Sequence, residues 1–190
     1  MNLIMDNSIT IKFFTKITDE KIRNDIWDIL CKCDKEFYPP LSARKVQNGL
    51  LVLNCHAKTS DKKPYMYFKA MIKQRFLVAF MDDRYVLGFM SFLTDVNDKH
   101  FNVNCNYYTT LCVRPANRHK GIATGLLTYQ LPEEFKSDIT MTRTWSLNAP
   151  IIKSLRRAGF MLKKVSANDR DKGIDTLYYE KKIIQTGDEN

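Results

Sequence analysis

The residues best placed to do chemistry lie in one stretch, Leu111-Cys112-Val113-Arg114-Pro115-Ala116-Asn117-Arg118-His119-Lys120-Gly121-Ile122-Ala123-Thr124. An apolar strand ends at Val113, Pro115 breaks it, and the spacing predicts a helix over 118–131 that starts near His119. The first turn of a helix presents N–H groups with no intrahelical partner, and the helix dipole favours an anion in front of them. Small residues at Gly121 and Ala123 let that backbone come close to a phosphate. Arg114, Arg118, His119 and Lys120 surround it with positive potential. The chemistry expected of this pattern is the binding of a pyrophosphate. There is no G-x-x-x-x-G-K-[ST], and Gly121 with Gly125 does not complete G-x-G-x-x-G, so neither a P-loop nor a dinucleotide fingerprint is present. Taken alone, the small residues are equally consistent with close packing of a helix on a sheet.

A second segment, Asn148 to Phe160, has its own physical logic. Asn148 is a good N-cap, Pro150 belongs in a first turn, and Gly159 stands where a helix ends with a left-handed residue, apolar Phe160 behind it. Ile151, Ile152, Leu155 and Ala158 form one apolar stripe, while Lys153, Arg156 and Arg157 fall on the other side.

Together these segments resemble the GCN5-related N-acetyltransferase (GNAT) family. Its signature [QR]-x-x-G-x-[GA], between the fourth strand and the third helix, is met at every specified position by Arg118-His119-Lys120-Gly121-Ile122-Ala123. The preceding Leu-x-Val-x-Pro is similar too, and Asn148 to Gly159-Phe160 keeps the spacing of the next block, N-x-x-A-x-x-x-Y-x-x-x-G-F. The resemblance is firm over 105–183 and loose before it. It implies the acyl-CoA N-acyltransferase fold, an α/β (mixed α+β) architecture with a central, mostly antiparallel mixed sheet flanked by helices. It implies acetyl-CoA as donor, an amine as acceptor and no metal. Backbone groups along Leu111, Cys112 and Val113 would hold the pantetheine and acetyl carbonyl. Amides from Arg118, His119, Lys120, Gly121, Ile122, Ala123 and Thr124 would hold the pyrophosphate, and Asn148 would contact the cofactor arm.

Two positions depart from the family pattern. The tyrosine that protonates the leaving thiolate would fall at Leu155, and the carboxylate of the fourth strand at Thr110. Neither replacement can move a proton in that way, so the catalytic acid and base are unassigned. Tyr108, Tyr107 and Tyr178 are the candidates nearest to hand, though tyrosines are also ordinary core residues. Of the histidines, His119 belongs to the phosphate loop, His100 to a turn and His56 to the variable region. On the acceptor side, Phe37, Tyr38, Ser42 and Arg44 are the candidates, and a guanidinium at 44 is suited to a carboxylate or phosphate.

The elements that must position these residues are readable in outline. An alternating strand over 8–14 is followed by a helix that Thr18 can cap, with Ile22, Ile26, Leu30 and Cys33 at helical spacing. Residues 35–64 form the variable acceptor-side region, and Pro64 opens a short helix. Strands follow at 76–81, 85–93 and 101–113, then a strand at 140–145, a helix at 149–158 and two closing strands. The expected unit is a single domain over 1–184 with a frayed tail at 185–190.

Composition bounds the rest. The 190 residues are 44% hydrophobic and 12% aromatic, enough for a packed core, and no apolar run approaches a membrane span. Five cysteines, one of them unpaired by arithmetic, argue for a reducing, cytoplasmic setting rather than a disulfide framework. Cys31-Lys32-Cys33 lacks the spacer of a zinc or redox motif. The net charge of +9 calls for an anionic partner, which a polyanionic cofactor supplies. The resulting expectation is an acetyl-CoA-dependent N-acetyltransferase for a primary amine, with a homodimer left open. The alternatives are a non-catalytic CoA-binding module, motivated by Leu155 and Thr110, and a tRNA-directed acetyltransferase toxin. The toxin reading lacks both the tyrosine at 155 and any RNA-binding motif.

Overall fold

The computed structural model describes residues 8–47, 50–52, 62–98 and 103–182, so His56, His100, Cys55 and the 185–190 tail lie outside the described residues. A seven-stranded sheet forms the centre, in the order β1-β4-β5-β6-β7-β9-β8. Its strands are β1 (Ile9–Phe14), β4 (Arg75–Met81), β5 (Tyr85–Asp98), β6 (Val103–Val113), β7 (Ile139–Trp145), β8 (Met161–Asp171) and β9 (Ile174–Lys182). Among the described strands only the β6–β7 pair is parallel. A two-stranded ribbon, β2 (Lys45–Gln47) with β3 (Leu50–Val52), stands apart. The mixed, mostly antiparallel sheet expected from the sequence is therefore present.

Helices cover both faces. Helices α1 (Glu20–Cys33) and α2 (Tyr65–Met71) pack on one side through Ile26, Ile29, Leu30, Tyr67, Phe68 and Met71, against Phe76, Val78 and Phe89 of the sheet. On the other, α3 (Ile122–Thr128) and α4 (Ala149–Arg157) bury Ile122, Leu126, Leu127 and Leu155 against Leu77, Leu87, Met90 and Phe92. The first helix is capped one residue later than Thr18: the Asp19 carboxylate accepts from the Ile22 N–H at 2.9 Å, and a charged oxygen at the positive helix end outcompetes a hydroxyl. Pro64 precedes α2 at the cap rather than inside it.

Helix α4 ends as the sequence predicts. Gly159, at φ +85°, donates to the Arg156 carbonyl, and Phe160 donates to Leu155. This pair of bonds is the Schellman arrangement, and buried Phe160 closes it against the core. Asn148 does stand at the N-cap, but its side chain makes no cap bond; its Nδ2 donates to Thr144 Oγ1 at 3.2 Å instead.

One irregularity sets up the site. In β6, Thr110 lies opposite Ser91 and Tyr108 opposite Phe92, so Thr109 is an extra residue, a β-bulge. The bulge inverts the alternation of side chains along the strand. Tyr108 packs with Phe92 and Phe160 on the α3–α4 side, whereas Thr110 meets Tyr67 and Cys112 joins the α1–α2 core. The Thr109 hydroxyl is tied to Gln74 Oε1 at 2.5 Å, to Ser91 Oγ at 2.8 Å and to the Ser91 carbonyl at 3.0 Å. Three buried or half-buried polar groups thus satisfy one another at the bend.

Candidate active site

Strands β6 and β7 pair over three residues only, from Asn106↔Thr140 to Tyr108↔Thr142. Beyond the bulge they part, and β6 runs on to Val113 with β5 as its one neighbour. The Thr142 hydroxyl donates to the Tyr108 carbonyl at 2.9 Å, closing the ladder where the parallel pairing stops. Antiparallel strands turn successive residues alternately toward and away from their partner. The Arg114 N–H donates to Leu87 on β5, so by that alternation Leu111 and Val113 direct their peptide groups into the gap. The Val113 carbonyl there accepts from Arg118 Nε at 3.2 Å.

The gap opens into a cleft of 830 Å³. Among the residues expected to hold a cofactor, Leu111, Cys112, Val113, Arg118, His119, Gly121, Ile122, Ala123, Thr124 and Asn148 line it, and Lys120 does not. The third helix is shorter than expected, Ile122–Thr128 in place of 118–131, because His119 (φ +65°) and Gly121 (φ +78°) both take left-handed conformations that no helix continues through. The first intrahelical bond is Gly125 N–H to Gly121 at 2.8 Å, which leaves the amides of Ile122, Ala123 and Thr124 ahead of the ladder. Left-handed residues in such a loop turn neighbouring N–H groups into one concavity suited to anions.

Arg114 does not belong to that concavity. Its side chain turns to the opposite face, where it is 8% exposed and meets Asp28 at 2.6 Å and Asp25 at 3.6 Å on α1. Two carboxylates on the facing helix decide its direction. Arg118 does line the cleft, held by Glu36 at 2.7 Å. Of the basic residues on α4, Lys153 and Arg157 border the cleft.

The catalytic candidates separate. Tyr108 lines the cleft; burial pushes its hydroxyl up to about 12, partly offset by a hydrogen bond to Thr140. Tyr107 and Tyr178 are not part of the lining. Leu155 and Thr110, the two departures from the family pattern, both border the cleft. Leu155 is 1% exposed, and the Thr110 hydroxyl is paired with the Tyr67 hydroxyl at 2.7 Å.

On the acceptor side, Phe37 lines the cleft with its ring 5.8 Å from that of Trp145. Tyr38 and Ser42 are committed elsewhere: Tyr38 bonds Asp171, and Ser42 gives both its N–H and its hydroxyl to Asp34. Arg44 sits behind the wall, its guanidinium 5.3 Å from the Phe37 ring centre and 5.6 Å from that of Tyr67. Among the lining residues that escaped the sequence reading are Glu36, Arg143 and Trp145. For the last two a signal existed: in Thr-Met-Thr-Arg-Thr-Trp, 143 and 145 share one face of a strand, and an arginine there stands out from its apolar neighbours. Glu36 gave none. It is the one carboxylate among the lining residues.

The comparisons with known proteins agree with this geometry. No curated protein matches the chain. Among solved structures, yncA from Salmonella typhimurium, solved with its cofactor acetyl-CoA, superposes with a TM-score of 0.63 at 17% identity, covering 97% of this chain and 99% of its own. PH1933 from Pyrococcus horikoshii OT3 gives 0.63 at 19% identity over 92% and 99%. An N-acetyltransferase from Staphylococcus aureus Mu50 gives 0.61 at 18% over 92% and 98%. These likenesses show the shared fold. The sequence profile of the Acetyltransferase (GNAT) family matches residues 27–160, a span that holds the splayed strand β6 together with α3 and α4. The chain belongs to the GNAT family of acetyltransferases.

Proposed function

We propose that the protein transfers the acetyl group of acetyl-CoA to a primary amine, directly, with both substrates bound. The observation that carries this reading is the splay of β6 from β7, flanked by the left-handed loop at His119–Gly121 and open on its far side to an aromatic-walled pocket. Outward peptide groups of Leu111 and Val113 suit the amides of a pantetheine arm. The amides from Ile122 to Thr124 suit its pyrophosphate. Charge-assisted bonds of that kind contribute about 1.5–3 kcal/mol each.

The chemistry asks little of the side chains. As the amine nitrogen bonds to the acetyl carbon, the carbon–sulfur bond breaks, and the alkyl thiolate that leaves is a far weaker base than an alkoxide, stable enough to depart without a donor. A leucine at 155 is then tolerable, and positioning supplies much of the rate. The acceptor's ammonium must lose a proton first. Thr110 cannot take it and Glu36 is held in its ion pair with Arg118, so this proton passes to solvent water. The second nitrogen proton, lost as the amide forms, goes to water or to the departing thiolate.

Calorimetry with acetyl-CoA and thiol release over a panel of amines test the proposal. Binding in the micromolar range or tighter, abolished by Gly121→Glu, together with turnover of some amine, is the expected result. Clear binding with no thiol release on any amine would instead favour the non-catalytic CoA-binding module, the reading that Leu155 and Thr110 motivate.

A further inference from the structure

Around β6 and the cleft, four buried or half-buried guanidiniums fall into two kinds, while Arg157 at the cleft's border is exposed. Arg114 and Arg118 are matched to carboxylates, Arg114 with Asp25 and Asp28 and Arg118 with Glu36. Arg143 and Arg44 have no acidic partner among the described residues. Arg143 is half-buried on β7 and lines the cleft beside Trp145. Arg44 is half-buried between the rings of Phe37 and Tyr67, and its Nε donates to the Pro39 carbonyl at 3.3 Å.

The two are near enough to oppose each other. Burial holds the Arg44 guanidinium below its ordinary range, and the charge of Arg143 lowers it further. Both cations also act on the Tyr67 hydroxyl, which burial otherwise pushes up. Two like charges drawn together in a shielded place are costly unless an anion answers them. The chain supplies that anion for Arg114 and Arg118. Among the described residues it supplies none for Arg44 and Arg143.

The position is as informative as the charge. Tyr67 joins this pair to Thr110, one residue from the Leu111 peptide at the splay. Arg143 and Trp145 project from the same face of β7, and Phe37 packs against the Trp145 ring to form one aromatic wall beside Arg143. The anion these guanidiniums face therefore lies on the α1–α2 side of the splay, away from the amides of α3 that suit the pyrophosphate.

We propose that the amine acceptor carries an oxyanion close to its amino group, as an α-amino acid does, and that Arg143 binds this group directly while Arg44 reinforces it from behind Phe37. The proposal rests on the acetyltransferase reading. Phe37 and Trp145 would then take the acceptor's side chain, and its amino group would point at the splay. A carboxylate and a phosphate share this chemistry, and the test separates them.

Thiol release would be measured with L-phenylalanine against L-phenylalaninamide, with L-leucine against L-leucinamide, and with phosphoethanolamine against ethanolamine. The carboxylate source is expected: kcat/KM is roughly 10- to 100-fold higher for the acids than for their amides, mostly in KM. Arg143→Gln is expected to collapse that ratio to near one, and Arg143→Lys to restore part of it. Arg44→Met is expected to lower the ratio less, and its thermal midpoint would show whether it folds. If phosphoethanolamine alone shows the preference, phosphate is the anion and the α-amino acid form is overturned. Equal rates for charged and neutral members of every pair, or a ratio that survives Arg143→Gln, would overturn the proposal while leaving acetyl transfer standing. Acetyl-CoA binding with no turnover of any amine would overturn the enzymatic reading itself.

Discussion

Tyr108 shows how one side chain can be near the chemistry and still belong to the core. Its ring packs against Phe92 and Phe160, and burial raises its hydroxyl to about 12 against about 10 in an unfolded chain. A raised pKa stabilises the fold fully below the unfolded value, and that contribution is lost as pH climbs through the folded one. Urea midpoints should therefore hold steady up to about pH 10 and fall between about pH 10 and 12, by about 2–3 kcal/mol from this group. Tyr108→Phe should cost about 1 kcal/mol at neutral pH, from the Thr140 bond, and give a shallower alkaline fall. An unchanged alkaline slope would contradict the assignment. Catalysis carries a separate signature. With Thr110 in place of a carboxylate, log kcat/KM should rise with a slope near one from pH 6.5 toward the acceptor amine's own pKa. A plateau near pH 7 that disappears in Glu36→Gln would identify Glu36 as the base instead.

Between residues and the whole stand the elements, and here the bulge at Thr109 matters most. Its hydroxyl holds Gln74 and Ser91, so Thr109→Val strands two buried polar groups and should cost about 2–6 kcal/mol, at about 1–3 kcal/mol for each. Acetyl-CoA affinity should fall with it, because the bend that opens β6 is no longer pinned; denaturant titration and calorimetry on the variant check both. Gly159→Ala should cost about 1 kcal/mol in stability with cofactor affinity unchanged, since only the left-handed end of α4 is strained. The elements differ in how far the sequence revealed them. The end of α4 was legible because Gly159 and Phe160 act locally, whereas the start of α3 was placed four residues early because the left-handed turn at His119 carries no local signal. The bulge was not, since Thr109 differs from Thr110 only in what it meets across the sheet. Arg114 was misplaced for the same reason: Asp25 and Asp28, which draw it away, are 86 and more residues distant in the chain. Arg143 and Glu36 become site residues only when the strands and the region after α1 converge.

At the scale of the molecule, two sub-sheets meet at a narrow seam. Strands β1, β4, β5 and β6 form one and β7, β9 and β8 the other, joined by three residue pairs, while β1–β4 alone has six. A ligand seated beyond the seam, bonded to β6 on one side and to α4 on the other, would behave as a splint across it. Saturating acetyl-CoA should then raise the thermal midpoint beyond the roughly 3 kcal/mol expected at a hundredfold excess over Kd only if it also changes the seam, so amide exchange gives the sharper reading. Protection should rise at Asn106 to Tyr108 and Thr140 to Thr142, in addition to the Leu111 and Val113 amides that contact the ligand directly. Without ligand the halves should open as separate cooperative units. With it they should open as one, so that the co-substrate of the reaction doubles as the mortar of the sheet.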